Sequence, residues 1–499
     1  MTLAVVYTRA QLGVKSPLVT VEAHLSNGLP GFTIVGLPET AVKESKDRVR
    51  SALINSHFEF PQRRITVNLG PADLPKEGGR YDLAIALGIL AASGQIPLAP
   101  LEGMEFIGEL ALSGDLRRVK GCIPAAIACG NDQRALVLPQ VNAAEAALCR
   151  NTNIFVASNL LRVCAHLHNR ETLDAPAKQA MHEPVYDKDL NEVKGQLQAR
   201  RALEIAATGG HNLLLFGPPG TGKSMLASRL SSILPPLQEH EALEVAAVRS
   251  VASEHTSANW LNRPFRSPHH TSSAVALVGG GSNPKPGEIS LAHNGVLFLD
   301  ELPEFPRQVL EVLREPLESG HICISRASAQ VEYPAKFQLI AAMNPCPCGY
   351  FNDNSDRCRC TPAQVARYRD KISGPLLDRI DLHVQVNAIP ITHMQGKPEG
   401  ESSRDVRARV IRNRQRQLDR QQKSNAQLSG REIGKYCALG KNEKNLLANA
   451  MGKLNLSARA YDRILKVART VADIENSEHI LSPHIAEALA YRNLDRALY

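Results

Sequence analysis

One glycine-rich run has the residue types and spacing of a phosphate-binding loop. It matches G-x-x-x-x-G-K-[ST] and consists of Gly217, Pro218, Pro219, Gly220, Thr221, Gly222, Lys223 and Ser224. In such a loop the backbone N–H groups surround the phosphates, the lysine reaches the β- and γ-phosphates, and the hydroxyl binds Mg²⁺. Because an apolar strand pattern (213–216) precedes the run and a helical pattern follows it, we expect a nucleotide site and not a chance glycine turn.

Two further apolar runs end in polar side chains suited to hydrolysis. Asp300 and Glu301 follow residues 295–299, and Asn344 follows residues 337–342. An aspartate at a strand end can hold Mg²⁺ together with Ser224, and the adjacent glutamate can polarise an attacking water. Asn344 is a candidate to orient that water, although a turn residue before a proline is the alternative. These residues predict ATP hydrolysis, with ATP and Mg²⁺ as cofactors.

Four of the ten cysteines form a possible metal-binding set. Two C-x-C pairs are separated by nine residues, and they comprise Cys346, Cys348, Cys358 and Cys360. Four thiolates are a common ligand set for structural Zn²⁺, but C-x-C is a less usual spacing than C-x₂-C, so unmetallated thiols and redox chemistry remain alternatives. The other six cysteines lie singly among apolar residues, which favours burial. The adjacent His269 and His270 have no nearby ligand partner in the sequence, which disfavours a metal pair there.

The elements that position these residues require more than one domain. A chain of 499 residues is expected to form two to four domains. We expect a first domain at 1–170, a polar linker at 171–190, a nucleotide-binding α/β core at 191–390 and a helical region at 391–499. Within the first domain the pattern predicts a β-hairpin over 18–35, a helix at 39–55, a strand at 65–69 and a buried helix at 81–92.

Composition limits the class of protein. Apolar residues make up 43% and charged residues 22%, as in soluble globular proteins, and the net charge of +8 permits an anionic partner such as nucleic acid. No apolar stretch approaches 18 residues and the start lacks a signal-peptide pattern, so we expect a cytoplasmic location and no membrane.

Two groups of arginines have alternative interpretations. Seven arginines on one predicted helix favour phosphate contacts or a solvated charged face, and they are Arg404, Arg407, Arg409, Arg412, Arg414, Arg416 and Arg420. Arg379 stands between Asp378 and Asp381, where a structural salt bridge is the ordinary explanation.

Seven motifs together resemble a known family. They lie at 193–196, 202–207, 263–270, 279–281, 286–288, 290–293 and 344–348, in addition to the phosphate-binding loop. On these motifs the chain resembles the magnesium-chelatase-like AAA+ ATPases of the ComM/YifB subfamily. The resemblance implies a homo-hexameric ring in which Gln196 lies by the adenine, Asn344 is sensor 1, Arg379 is an arginine finger acting on a neighbour's ATP and Arg459 is sensor 2 on a helical lid.

The first domain resembles the Lon protease catalytic domain, through residues 75–80, 118–120 and 123–126. The implied fold class is therefore α/β, with a P-loop AAA+ core, an N-terminal Lon-like α+β domain of the ribosomal S5 type and a C-terminal helical lid. Lys120 matches the lysine of the family's Ser–Lys dyad, but Arg80 stands at the nucleophile position. Because an arginine cannot be acylated, we expect no peptidase activity.

The resemblance implies an ATP-hydrolysing ring motor on single-stranded or branched DNA, a helicase that promotes branch migration in recombination during natural transformation. Residues 263–288 and the predicted hairpin 321–333 would contact DNA, with solvated surface loops as the alternative. The alternative function is a protein-remodelling or chelatase-type ATPase that does not act on DNA.

Overall fold

The computed structural model describes residues 3–36, 40–177, 184–254, 260–281, 284–325, 330–351, 357–389, 400–454 and 456–492. The chain forms two compact units. Unit 1 contains residues 1–182, 242–260 and 325–333, and unit 2 contains residues 183–241, 261–324 and 334–499. The helical region predicted at 391–499 therefore belongs to the same compact unit as the nucleotide-binding core.

Unit 1 is built on a seven-stranded mixed sheet in the order β3-β4-β2-β1-β5-β8-β9. The strands of this unit are β1 Leu3–Arg9, β2 Leu18–Ser26, β3 Gly31–Val35, β4 Arg64–Gly70, β5 Met104–Phe106, β6 Glu109–Leu110, β7 Leu116–Arg117, β8 Ala135–Pro139 and β9 Ile154–Ala157. Its helices are Thr40–Lys43, Ser45–Asn55, Asp82–Ala92, Cys122–Asn131, Ala143–Ala146 and Leu160–Leu167, and Glu239–Ala252 falls largely in this unit.

The predicted hairpin over 18–35 is wrong. Both strands form, but β4 lies between β2 and β3, antiparallel to β2 and parallel to β3. The chain between β3 and β4 contains the helix Ser45–Asn55, which buries Val49, Ala52 and Leu53. A helix between two strands allows them to pair in parallel, so β3, this helix and β4 form a β-α-β unit that no local turn signal predicts.

The predicted buried helix is confirmed, because every residue of Asp82–Ala92 is buried. The helix packs on β1 and β2. Gly88 faces the sheet, and a Cβ atom there would lie 3.1 Å from the Cβ of Ala23. The glycine thus allows a close approach of the helix to the centre of the sheet.

Unit 2 contains a five-stranded parallel sheet in the order β11-β14-β17-β10-β18. The strands are β10 Leu213–Phe216, β11 Phe265–Arg266, β12 Gly279–Gly280, β13 Lys285–Pro286, β14 Val296–Leu299, β15 His321–Ser325, β17 Gln338–Met343 and β18 Leu382–Gln385, whereas β16 Gln330–Pro334 falls largely in unit 1. Strands β14 and β17 are buried along their whole length, which explains their continuous apolar sequences. Strands β15 and β16 flank residues 326–329, so Arg326 of the predicted hairpin lies outside the described residues.

Helices of unit 2 precede and follow the sheet strands, and the described part of 400–492 is largely helical, as predicted. The α-helices are Leu197–Gly209, Lys223–Ile233, Ala274–Val278, Glu288–Leu291, Arg307–Val312, Arg314–Ser319, Pro362–Arg369, Gly374–Leu377, Ser403–Gln421, Gly430–Tyr436, Lys441–Leu454, Ala458–Ile474 and Ser482–Ala490. This architecture confirms the expected α/β class. Among the described residues, no helix is both long and apolar enough to cross a membrane.

The arginine-rich helix Ser403–Gln421 is tied to the rest of unit 2. Five of its seven arginines bond to the chain itself: Arg407 to the Ser232 carbonyl, Arg409 to Glu204 and Glu401, Arg414 to the Ala207 and Thr208 carbonyls, Arg416 to the Asp473 carbonyl, and Arg420 to the Asp473 carboxylate. Most arginines of the row are therefore engaged within the fold, a role that neither alternative, phosphate contacts or a solvated charged face, had included. Arg404 and Arg412 are exposed.

Candidate active site

The phosphate-binding loop runs from the end of β10 to the helix Lys223–Ile233. Gly220 and Gly222 have φ angles of +76° and +89°, a region that favours glycine. The Lys223 ammonium group donates to the carbonyls of Gly217 and Pro218 at 2.8 and 2.7 Å. Burial lowers the pKa of Lys223, and the carboxylates of Asp300 and Glu301 oppose that shift. The lysine is held at the loop that its motif predicts.

The three predicted strand ends meet at this loop. The Ser224 hydroxyl donates to the Asp300 carboxylate at 2.6 Å, and Lys223 donates to the Asn344 side-chain oxygen at 3.1 Å. The contacts arise because β10, β17 and β14 are consecutive parallel strands, whose carboxyl ends share one edge of the sheet. A cavity of about 380 Å³ at this edge is lined by residues 219–225, 300, 301, 343 and 344.

Glu301 has a contact that the sequence did not reveal. Its backbone is left-handed, with φ of +54°, and its carboxylate lies 3.3 Å from Nδ1 of His270. His270 follows β11, which is the parallel neighbour of β14, so both residues stand beyond the same sheet edge. A prediction of the strand order that placed β11 next to β14 would have brought His270 and Glu301 together. His270 therefore belongs to the candidate active site.

Gln196 lies at the side of the phosphate-binding loop. Its side-chain amide donates to the carbonyl of Asn387 at 2.7 Å and, more weakly, to that of Thr221 at 3.4 Å. Its backbone is left-handed, with φ of +51°, as is that of Gly195. The residue joins the start of the helix Leu197–Gly209 to the loop.

Arg379 and Arg459 lie outside the cavity of the phosphate-binding loop. They line a separate cavity of about 160 Å³ together with Glu318, Asp378, Asp462, Arg463 and Lys466. The Arg379 side chain is 8% exposed, forms an ion pair with Glu318 and donates to the Pro375 carbonyl at 2.6 Å. The arginine finger and sensor 2 candidates are thus neighbours of each other and not of their own chain's phosphate-binding loop.

The acids flanking Arg379 do not provide its ion pair. Asp381 is buried and instead accepts from Arg463 at 2.7 Å and lies 3.3 Å from His211. Burial alone would raise the pKa of Asp381, but the charges and hydrogen bonds of Arg463 and His211 hold it well below its usual range. The ordinary salt-bridge explanation therefore applies to Asp381, with a partner that is distant in sequence.

The four predicted cysteines come together. Their Sγ atoms all lie within 4.8 Å of one another, and Cys346 is buried while the other three are half-buried. Sγ of Cys346 lies 3.3 Å from that of Cys348 and 4.0 Å from that of Cys358, and Cys348 and Cys358 are 3.7 Å apart. All four are free thiols. The structure thus forms a compact four-sulfur cluster two residues beyond Asn344.

In unit 1 the two residues compared with a Ser–Lys dyad differ in exposure. Arg80 is 7% exposed and donates to the side-chain oxygen of Gln11 at 3.1 Å. Burial lowers the pKa of Arg80. Lys120 is exposed. The residue compared with the nucleophile is thus a buried arginine, and the residue compared with the base is exposed.

Comparison with known proteins agrees with this geometry. Three family profiles match: "Magnesium chelatase, subunit ChlI" over residues 189–394, "Subunit ChlI of Mg-chelatase" over 21–142 and "Magnesium chelatase, subunit ChlI C-terminal" over 400–492. The protein YifB of Salmonella typhimurium is 55% identical over 500 residues, covering 100% of this chain and 98% of the relative. The competence protein ComM of Haemophilus influenzae is 53% identical over 505 residues, covering 100% and 99%.

A more distant relative shares only part of the chain. The magnesium-chelatase 38 kDa subunit of Rhodobacter capsulatus is 26% identical over 191 residues, covering 35% of this chain and 54% of the relative. The full-length matches and the sheet edge that assembles the phosphate-binding loop lead to one assignment. The chain belongs to the magnesium-chelatase-like AAA+ family, within the ComM/YifB subfamily.

Proposed function

We propose that the chain is an ATP-hydrolysing ring motor that acts on DNA, a helicase that promotes branch migration during recombination in natural transformation. The observation that carries the ATPase part is the assembled sheet edge, where Ser224 contacts Asp300 at 2.6 Å and Lys223 contacts Asn344 at 3.1 Å. Residues from three separate strand ends converge on one cavity with the donors and acceptors that phosphoryl transfer uses.

Each residue of this cavity has a proposed role. Lys223 binds the β- and γ-phosphates, Ser224 and Asp300 hold Mg²⁺, Glu301 accepts a proton from the attacking water, and Asn344 orients that water. Bound Mg²⁺ would neutralise charge that develops on the phosphate oxygens. The proposed cofactors are ATP and Mg²⁺, with Zn²⁺ at the four cysteines as a structural ion.

The position of the two arginines supports a ring. Arg379 and Arg459 line one cavity, and the phosphate-binding loop lines another. An arginine that stabilises the transferred phosphoryl group must come within contact distance of it. We therefore assign both arginines to the ATP of a neighbouring copy, in a homo-hexamer with repeated head-to-tail interfaces.

The DNA part of the proposal rests on similarity and charge. The 53% identical relative is a competence protein, and the chain has a net charge of +8, which suits a polyanionic partner. Arg404 and Arg412 are exposed on the arginine-rich helix, and Lys285 is exposed within 263–288. These residues are the candidate phosphate contacts, and the proposed substrate is single-stranded or branched DNA.

The second candidate is a protein-remodelling or chelatase-type ATPase that does not act on DNA. Two cations of the 263–288 segment are engaged within unit 2: Arg263 donates to Glu241 at 2.9 Å, and Arg266 donates to Glu288 at 2.6 and 2.7 Å. Together with the five engaged arginines of the helix, this leaves fewer free cations for phosphate than the sequence implied, which favours the second candidate.

One experiment separates the two candidates. ATP turnover of the full chain is measured alone and with single-stranded, duplex and branched DNA at several salt concentrations, with Lys223→Ala as the inactive control. A DNA motor should show turnover stimulated by DNA, and its DNA affinity should fall steeply as salt rises. ATP turnover without DNA binding at low salt would favour the remodelling function.

A further inference from the structure

The geometry of the four-cysteine cluster points to a zinc ion with a role in ATP hydrolysis. We propose that Cys346, Cys348, Cys358 and Cys360 bind one Zn²⁺, and that this ion positions Asn344 and the phosphate-binding loop. The second part of this proposal rests on the proposed ATPase function.

The spacing of the sulfur atoms suits a tetrahedral ion. Four Zn–S bonds of about 2.3 Å in a tetrahedron place the sulfur atoms about 3.8 Å apart. The observed separations of 3.3, 3.7 and 4.0 Å bracket that value, and the Sγ atom of Cys360 lies within 4.8 Å of the other three. A disulfide needs sulfur atoms about 2.05 Å apart, so none of these pairs is bonded.

The segment that carries the first cysteine pair lies against the phosphate-binding loop. Gly349, directly after Cys348, has φ of +88°, and a Cβ atom there would lie 2.7 Å from Cδ of Pro219 and 3.9 Å from Cγ of Asn344. The backbone of the cysteine segment therefore lies on the phosphate-binding loop with no room for a side chain. A displacement of this segment would move the surface that supports both Pro219 and Asn344.

The second cysteine pair precedes the helix Pro362–Arg369. Thr361, directly after Cys360, caps this helix in a reciprocal arrangement with Gln364. Arg369, at its last position, donates to the Pro345 carbonyl at 3.3 Å, and its guanidinium group lies 5.3 Å from the centre of the Phe351 ring. The end of this helix thus contacts the segment that carries the first cysteine pair.

A zinc ion bound by both cysteine pairs would link the two chain segments that carry them. Zn²⁺ would join the segment after β17, which carries Asn344, to the segment before the helix, with nine residues between Cys348 and Cys358. Because a structural zinc site supplies folding free energy to the segments it joins, its loss should loosen the support of Asn344 without removing any group that contacts nucleotide. Asn344 is then the catalytic residue, and the four cysteines position it.

The test uses the full chain purified under reducing conditions without chelators. Zinc content is measured by elemental analysis for the wild type, for a Cys358→Ser, Cys360→Ser double variant and for Cys437→Ala, a control at a buried cysteine outside the cluster. We expect one zinc per chain in the wild type and the control, and none in the double variant. Substitution with Co²⁺ should give the visible absorption of a tetrahedral tetrathiolate site.

The positioning role is tested in the same proteins. The zinc-free protein should hydrolyse ATP at least about tenfold more slowly than the wild type, as loss of groups that orient catalytic ligands often causes. Hydrogen exchange at residues 217–224 should be faster, and binding of a fluorescent ATP analogue should be largely retained. Adding zinc back to metal-stripped wild type should restore its ATP turnover. If the double variant does not fold, the metal-stripped wild type takes its place as the zinc-free protein in these measurements.

Three outcomes would overturn the proposal. A wild type without stoichiometric zinc, or one with disulfides among these cysteines, would reject the metal site. Zinc-free protein with wild-type turnover and unchanged exchange at 217–224 would reject the positioning role. If the wild type hydrolyses no ATP at all, the ATPase proposal fails, whereas zinc content and hydrogen exchange still decide the metal site and its effect on the loop.

Discussion

Arg379→Ala tests whether the active site is completed by a second subunit. The guanidinium group lies in a cavity separate from its own phosphate-binding loop, where it contacts Glu318 and the Pro375 carbonyl. The substitution therefore removes nothing that lines the nucleotide cavity of the same chain. We expect the variant to bind ATP with nearly wild-type affinity and to lose hydrolysis.

Arg379→Ala should affect the hydrolysis rate more than the folding stability. The ion pair with Glu318, whose side chain is 60% exposed, contributes only about 0–1 kcal/mol to stability, and the hydrogen bond to the Pro375 carbonyl contributes about 1.5–3 kcal/mol. Loss of an arginine finger lowers the hydrolysis rate by about 10³ to 10⁵, which corresponds to about 4–7 kcal/mol of barrier. The rate loss should thus exceed any loss of folding stability, and Arg367→Ala, at an exposed arginine, serves as the matched control.

Mixing two inactive variants identifies which subunit provides the arginine. Glu301→Gln lacks the base but keeps Arg379, and Arg379→Ala keeps the base. In a random equal mixture about a quarter of head-to-tail interfaces combine an intact base with an intact arginine from the neighbour. ATP turnover should therefore reappear on mixing. Mixed assemblies that contain both variants and remain inactive would refute action in trans, and hydrolysis by Arg379→Ala alone would refute the finger role.

Three further predictions concern other residues. His270→Ala removes a contact with Glu301 that is worth about 0–1 kcal/mol, since the two side chains are 32% and 51% exposed, and should raise DNA-independent turnover by up to about fivefold, so a lower rate would contradict a restraint by His270. Asp381→Asn leaves the half-buried Arg463 without its carboxylate partner and should lower the free energy of unfolding by about 1.5–3 kcal/mol in denaturant titrations. Because the folded-state pKa of Asp381 lies below its unfolded value of about 3.9, its stabilisation is present above that pH and is lost as the pH falls further, and the Asn variant should lack this part of the acid sensitivity. Substitution of Arg404 and Arg412 by alanine should reduce the slope of log affinity for DNA against log salt by about one for each phosphate that the protein no longer neutralises, and an unchanged slope would exclude both arginines from the DNA interface.

The residues of the candidate active site were predictable because the chemistry proposed for them restricts the sequence locally. The phosphate-binding loop needs glycines with positive φ and a lysine at a fixed spacing, and both are visible in 217–224. Buried parallel strands have continuous apolar sequences, so the ends at Asp300 and Asn344 could be located as well. The four cysteines were recognisable by type and spacing, and the structure brings their sulfur atoms together.

Contacts between distant segments could not be predicted in the same way. The pattern at 18–35 is compatible with a hairpin, but β4 pairs with both strands because a helix between β3 and β4 allows a parallel connection. Most arginines of Ser403–Gln421 look available in the sequence, yet their partners, such as Glu204 and Asp473, lie elsewhere in the chain. Burial and pairing depend on which segments become neighbours, which no local pattern specifies.

The residue types suited to binding and hydrolysing ATP are evident from the amino-acid sequence alone, because phosphate and magnesium chemistry requires particular side chains at short spacing. Which of these residues share a cavity depends on the fold, which brings Ser224 to Asp300, places His270 beside Glu301 and keeps Arg379 and Arg459 apart from the phosphate-binding loop. The reason is that strand order in the parallel sheet, and not sequence separation, sets which strand ends meet at one edge.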